Sequence, residues 1–256
     1  MKIRFIGTGS GKTSLKRHHS SLLVSSKNFN LLVDCGDGTS LALLKQNINF
    51  NLIDAILISH LHADHYSGLA SLLTQMKLLN RKTNLTIFIH QSLIDYIKSF
   101  LLNSYLFMDR LGFDLNLIGV EVEKTTHLTD SLSFRVKLNS HLDKYKSNAV
   151  SQNISMASLS FLFREHESSF FYSADIGSDK DLYLFNEKVD CFIVESSHIN
   201  SEDLKGLITK NDVDKIIITH LEEESEKALQ KFRESLEITT KSNILIAFDG
   251  FILEHI

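Results

Sequence analysis

Within positions 60–65 the chain carries His60, His62, Asp64 and His65, in the run Ser59-His60-Leu61-His62-Ala63-Asp64-His65. Imidazole and carboxylate ligands without thiolate suit zinc, manganese or iron. His60 and His62 lie two apart after an extended run, so their side chains leave on the same side and can bind one ion together. Asp64 and His65 follow and reach a second site beside the first. The plainer alternative is a polar loop ahead of a helix, with Asp64 as a cap.

Later residues extend the pattern. The apolar, β-branched run Ala55-Ile56-Leu57-Ile58 reads as a buried strand, and Gly68 opens an amphipathic helix over 69–79. The cluster therefore sits in a strand-to-helix loop, where α/β proteins place their chemistry. Strands are expected over 2–6, 20–24, 30–34, 85–89, 117–123, 132–138, 158–163, 169–173, 190–194, 214–218 and 243–248. Helices are expected over 39–47, 92–103, 179–186, 202–209 and 223–235, and the polar segment 142–157, without a clear period, reads as a lid or substrate loop. Asp34, His60, His141, Asp175, Glu195 and His220 then all stand at strand ends, as expected of residues that build one site.

Each has an individual reading. His141, just beyond a strand, is the candidate third ligand of the first ion; His127, mid-loop, ranks below it. Asp175 is the candidate bridge between two ions. Asp34 is either a cap or a carboxylate that orients a metal-bound histidine. His90, without ligand-like neighbours, reads as structural.

Composition narrows the function. The chain has 256 residues, 43% of them hydrophobic, and shows no linker or repeat, which predicts a single domain over 1–256. No apolar run approaches the ~20 residues of a membrane span. The start, Met1-Lys2-Ile3-Arg4-Phe5, reads directly as a strand with no signal peptide. Cys35 and Cys191, far apart beside apolar strands, read as buried thiols in a reducing cytoplasm. A formal net charge of −4 argues against a broad nucleic-acid-binding face. A local basic patch, with Lys12, Lys16, Arg17, His18 and His19, reads equally as a solvated loop or a phosphate contact. The loop Gly7-Thr8-Gly9-Ser10-Gly11 lacks the G-x-G-x-x-G spacing and fits a tight turn beside a site.

The run His60-Leu61-His62-Ala63-Asp64-His65 resembles the H-x-H-x-D-H motif of the metallo-β-lactamase superfamily, with His141, Asp175 and His220 as its later single motifs. The resemblance implies an α+β fold, a four-layer αββα sandwich. It implies that His60, His62 and His141 bind one zinc, that Asp64, His65 and His220 bind the other, and that Asp175 bridges them. Within the superfamily, Phe5–Gly11, Arg17 with Ser20-Ser21, Asp34-Cys35-Gly36-Asp37-Gly38-Thr39, Ile218-Thr219-His220-Leu221 and Ala247-Phe248-Asp249-Gly250 resemble ribonuclease Z and its phosphodiesterase relatives. Ribonuclease Z carries a long Gly/Pro-rich arm, absent here, and a His-Glu-Ala-Thr run, which stands here as Val194-Glu195-Ser196-Ser197.

The resemblance implies a dinuclear metal-dependent phosphodiesterase with two divalent ions, zinc first and manganese second. Its substrate would be RNA, as in tRNA 3′ processing, or a small cyclic or nucleotide phosphodiester. A thioester or lactone hydrolase of the same fold is the alternative. Asp64 would orient or deprotonate the nucleophile, and His198, supported by Glu195, would give the proton to the leaving oxygen. Lys12, Arg17 and Ser20 are the candidate substrate contacts. Superfamily relatives often dimerise, so a homodimer is also expected; a membrane partner is not.

Overall fold

The computed structural model describes residues 1–210, 215–236 and 243–254. The expected strand over 214–218 therefore has its first residue outside the described residues.

Near-continuous apolar runs in the first half of the chain make strands with two buried faces. β1 (Lys2–Gly7), β2 (Ser21–Ser26) and β3 (Phe29–Val33) form an antiparallel meander, and β4 (Ala55–Leu57), β5 (Leu85–His90) and β6 (Leu115–Val120) add in parallel. Parallel neighbours need crossovers. These contain α1 (Thr39–Lys45), the single turn α2 (Ala63–Tyr66), α3 (Leu69–Leu78) and α4 (Ile94–Asn103).

The second half repeats the plan. β7 (Thr125–His127), β8 (Leu132–Leu138), β9 (Leu159–Glu165) and β10 (Ser168–Tyr172) pair antiparallel. β11 (Cys191–Glu195), β12 (Lys215–Thr219) and β13 (Ile244–Ile246) continue in parallel. α5 (Lys146–Gln152), α6 (Ser201–Lys210) and α7 (Glu223–Glu234) lie in the connections, and β14 (Ile252–Glu254) returns to the first sheet beside β1. The sheet orders are β14-β1-β2-β3-β4-β5-β6 and β13-β12-β11-β10-β9-β8-β7.

Three apolar clusters fill the spaces between layers. Ile6, Leu32, Ile56 and Ile87 meet Leu43, Leu72, Leu73, Met76 and Ile97 beneath the first helices. Ile3, Phe5, Val24 and Leu57 of one sheet meet Phe134, Phe161, Phe163 and Phe170 of the other. Leu162, Phe171, Phe192 and Ile218 meet Leu204, Leu207, Leu229 and Phe232 beneath α6 and α7. Phe161 and Phe163 point into the middle cluster and Leu162 away from it, as the two-residue period of a strand requires. The order helix, sheet, sheet, helix is the expected αββα sandwich.

Local expectations shift in places. Residues 142–157 contain α5, and His127 lies in the short strand β7 rather than in a loop. The expected helix over 179–186 is a 3₁₀ turn, Asp179–Tyr183, started by a capping box between Ser178 and Asp181. The expected strand over 243–248 is shortened to β13, and β14 pairs only through a contact with the far end of the sequence.

Candidate metal centre

The strand ends converge on one end of the sandwich. His60 follows β4; His62 precedes α2, which carries Asp64 and His65; His141 follows β8, Asp175 follows β10 and His220 follows β12. Asp34, Ala174 and His220 have φ values of 61°, 49° and 56°, in the left-handed region that side chains with a Cβ rarely enter. Such strain persists where surrounding structure fixes a functional group. The glycines allow the tight approach: a Cβ on Gly36 would lie 2.0 Å from the Asp64 carbonyl oxygen, and one on Gly177 would lie 2.3 Å from that of Ser140.

The donors fall into two sets that share Asp175. His60, His62, His141 and Asp175 form one, and Asp64, His65, Asp175 and His220 the other, with the ligand atoms of each set within 4.8 Å of one another. Asp175 Oδ2 lies 3.6 Å from His141 Nε2 and 4.0 Å from His60 Nε2. Its Oδ1 lies 3.2 Å from both His65 Nε2 and His220 Nε2. One carboxylate thus offers one oxygen to each side. Asp64 Oδ2 completes the second set, 3.1 Å from His220 Nε2 and 3.5 Å from His65 Nε2.

The donor set fits divalent ions on its own chemistry. His60 is wholly buried, yet its Nε2, 4.0 Å from Oδ2 of the shared Asp175, has no hydrogen-bond partner. A buried ring nitrogen without a partner is costly unless a cation or donor meets it. His62 Nδ1 and His141 Nε2 stand 3.0 Å apart, as do His65 Nε2 and His220 Nε2 at 3.3 Å, an arrangement suited to nitrogens converging on shared cations.

Electrostatics separate the two sets. Burial pushes His60 well below the usual imidazole range, lowers His62 and takes His141 down to about 4. These rings are held neutral, the form that ligates metal. On the other side burial works against His65 and His220 too, but Asp175 with Asp34 or Asp64 outweighs it and raises both. Burial would raise Asp64, yet the His220 hydrogen bond and the nearby imidazoles bring it to about 2.

Supporting groups fix the ligands. Asp34, wholly buried, accepts from the Ser59 amide at 2.8 Å and the Ser59 hydroxyl at 2.9 Å, and contacts His65 Nδ1 at 2.8 Å. It is therefore the carboxylate that orients His65. Asp181, which sequence reasoning missed, accepts from the Ser140 amide and hydroxyl and from the Gly177 amide at 2.9 Å. It joins the loop of His141 to the loop of Asp175, and the spacing Ser178-Asp181 was its readable signal. Glu195, buried, meets His198 Nδ1 at 2.9 Å and accepts from its amide at 2.9 Å. The His198 hydrogen bond to Glu195 raises this imidazole's pKa. Its side chain is 31% exposed and its ring lies 4.9 Å from that of His141, so it overlooks the centre.

Other expected residues lie elsewhere. His127 is exposed on β7 and belongs to neither ligand set. Arg17 is turned inward, with Nη1 on Thr8 Oγ1 at 2.6 Å and on the Ala247 carbonyl at 2.8 Å, and Nη2 3.3 Å from Glu226. Ser20 is buried with its hydroxyl 3.2 Å from that of Tyr172. Both are buried and turned to internal partners, so neither is an open substrate contact. Lys12 is exposed beside Gly11, whose Cβ position lies 3.3 Å from Asp64 Oδ2, but pairs with Glu224 at 2.5 Å. Lys16 pairs with Glu223 at 3.4 Å, so α7 neutralises much of the basic patch.

Beside His62 opens a cavity of about 460 Å3 that sequence reasoning did not find. Leu61, Leu93, Tyr96, Leu142, Tyr145 and Met156 give it an apolar wall, and Ser92, Asn153 and Ser155 a polar one. Most of the second wall comes from the 142–157 segment, the expected lid or substrate loop.

Residues 1–243 match the family model described as Anti-Pycsar protein Apyc1. The chain belongs to the Anti-Pycsar protein Apyc1 family. It is also similar to the ribonuclease Z of Saccharolobus solfataricus, 40% identical over 97 residues, which are 38% of this chain and 33% of that one. The chain thus spans about a third of the length of the curated relatives it matches. Among solved structures, the metallo-β-lactamase fold protein YhfI from Bacillus subtilis aligns with a TM-score of 0.77 at 18% identity, over 99% of both chains. Human tRNase Z, short form, aligns with a TM-score of 0.73 at 19% identity, again over 99% of both. The fold of this family member is the metallo-β-lactamase fold, and its sequence is ribonuclease Z-like.

Proposed function

We propose that the protein is a dinuclear metal-dependent phosphodiesterase acting on a small nucleotide-type phosphodiester. The observation that carries this reading is the pair of ligand sets sharing Asp175. Likeness to proteins named ribonuclease Z favours phosphodiester chemistry over the thioester or lactone alternative. The cavity beside His62 and the pairing of Lys12 and Lys16 with α7 favour a small substrate over RNA in tRNA 3′ processing.

His60, His62 and His141 would hold one ion, Asp64, His65 and His220 the other, and Asp175 both; zinc suits this donor set, with manganese second. Such ions supply the acidity that makes water a nucleophile near neutral pH and the positive charge that offsets the phosphoryl oxygens. Asp64, held ionised, would orient or deprotonate the attacking water, and its low pKa favours the orienting role. Glu195 engages His198 Nδ1, which leaves Nε2 as the free end of the ring. From there His198 gives a proton to the leaving oxygen. Lys12, exposed and next to Gly11, which approaches Asp64, is the remaining candidate contact for a substrate phosphate.

The setting we infer is cytoplasmic, with Cys35 and Cys191 as buried free thiols, and the assembly a homodimer. Among the described residues no helix is long and apolar enough to cross a membrane.

The test is metal content together with hydrolysis of bis-p-nitrophenyl phosphate, on the unaltered protein, Asp64→Ala and His198→Ala. Two ions per chain, with activity abolished in the first variant, are expected. His198→Ala should lose about 10²-fold or more in turnover at unchanged metal content. Two ions with thioester but no phosphodiester hydrolysis would transfer the reading to the alternative.

A further inference from the structure

Ser155 and Ser92 line the cavity, and behind them stands His90, which the metal centre does not use. His90 Nδ1 accepts from the Ser92 amide at 3.3 Å, so that nitrogen carries a lone pair and the ring proton sits on Nε2. The Ser92 hydroxyl lies 2.7 Å from the same Nδ1 and can only donate to it. Its single proton is then committed. At 2.5 Å from Ser155 Oγ, Ser92 Oγ must accept, and Ser155 must donate. The chain of hydrogen bonds runs one way, Ser155 to Ser92 to His90, and leaves the Ser155 oxygen with lone pairs but no free proton. Burial lowers the His90 pKa, which agrees with the neutral ring this polarity needs.

We infer that Ser155 Oγ is a fixed hydrogen-bond acceptor on the cavity wall, through which the site selects a planar heterocycle bearing an amino group. The flanking Tyr96, Tyr145, Leu61 and Met156 give such a ring apolar and aromatic surface, and Asn153 adds a second polar contact. A ring that presents an acceptor at this point leaves the Ser155 oxygen facing another lone pair, which the committed proton cannot relieve. His90 and Ser92 are positioning residues: they act through Ser155. This inference deepens the proposed function by naming the organic half of the substrate, and it rests on that reading for the phosphoryl half alone.

The experiment is equilibrium binding to the metal-loaded protein of adenosine 5′-monophosphate, purine riboside 5′-monophosphate, which lacks the amino group, and the N6,N6-dimethyl analogue, which keeps the nitrogen but no proton. The unaltered protein should bind the amino nucleotide about three- to tenfold more tightly than either analogue, the worth of one neutral hydrogen bond. Ser155→Ala should level the three affinities at unchanged metal content and melting temperature. Ser92→Ala should also level them, because it frees the Ser155 proton to turn outward. Equal affinities in the unaltered protein, a preference that survives Ser155→Ala, or no binding of any of the three would overturn the inference. Bis-p-nitrophenyl phosphate has no heterocycle, so its hydrolysis judges the phosphodiesterase reading separately.

Discussion

The two ligand sets are built differently, although one carboxylate joins them. The first is three imidazoles kept neutral by burial, and each carries a ring nitrogen either unpartnered or turned on another histidine. The second is richer in negative charge and tied back more firmly, with His65 on Asp34 and His220 Nδ1 3.1 Å from Ser197 Oγ. The first set is shaped by exclusion of water, the second by charge. An ion is therefore expected to be held more tightly by the second, where ionised Asp64 adds to Asp175.

Three substitutions would break or sharpen this contrast. Asp175→Ala removes the shared ligand and should have the largest effect, with both ions lost and phosphodiester hydrolysis abolished; elemental analysis after dialysis checks it. Retention of one ion would show that one set stands without the bridge. Asp34→Asn leaves every ligand in place but takes the charge from behind His65. It should weaken the second ion about 10- to 100-fold and the first less, because the Ser59 hydroxyl that Asp34 holds also lies 3.0 Å from His60 Nδ1; competition with a chelator reads both. Asp181→Asn is the matching change on the other side, since Asp181 holds the loop of His141 through Ser140. Its effect should fall on the first ion, at about tenfold, because it acts through backbone rather than on a ring nitrogen. Cobalt substitution would show in each case which coordination environment changed.

Much of the site was legible because its residues end strands. Strand ends are marked in one dimension by an apolar run that stops at a polar residue, so His60, His141, Asp175, Glu195 and His220 could be placed before any contact was known. The αββα layering came from the resemblance carried by the His60–His65 run, and the alternation of strands and helices suits it. What escaped depends on pairing across the sequence. β14 is three residues long and exists through its register with β1, Lys2 opposite Glu254. α5, Lys-Ser-Asn-Ala-Val-Ser-Gln, has no apolar period, and its only buried residue is Ala149. Lys12 and Arg17 looked available because their partners, Glu224 and Glu226, lie more than two hundred positions away. The cavity was invisible for the same reason: Ser92 and Ser155 come from opposite halves of the chain.

The origin of the ligands has a mechanical consequence. His60, His62, Asp64 and His65 hang from the first sheet, and His141, Asp175 and His220 from the second. Ions seated among them would act as rivets through the open end of the sandwich, joining halves whose middle layer is packed from Phe, Leu and Ile side chains. Rivets of this kind couple assembly to supply. At a free metal concentration a hundred times the dissociation constant, each ion adds about 2.7 kcal/mol to the folded state. The resistance of the two halves to parting would then be set partly by the metal content of the surrounding solution.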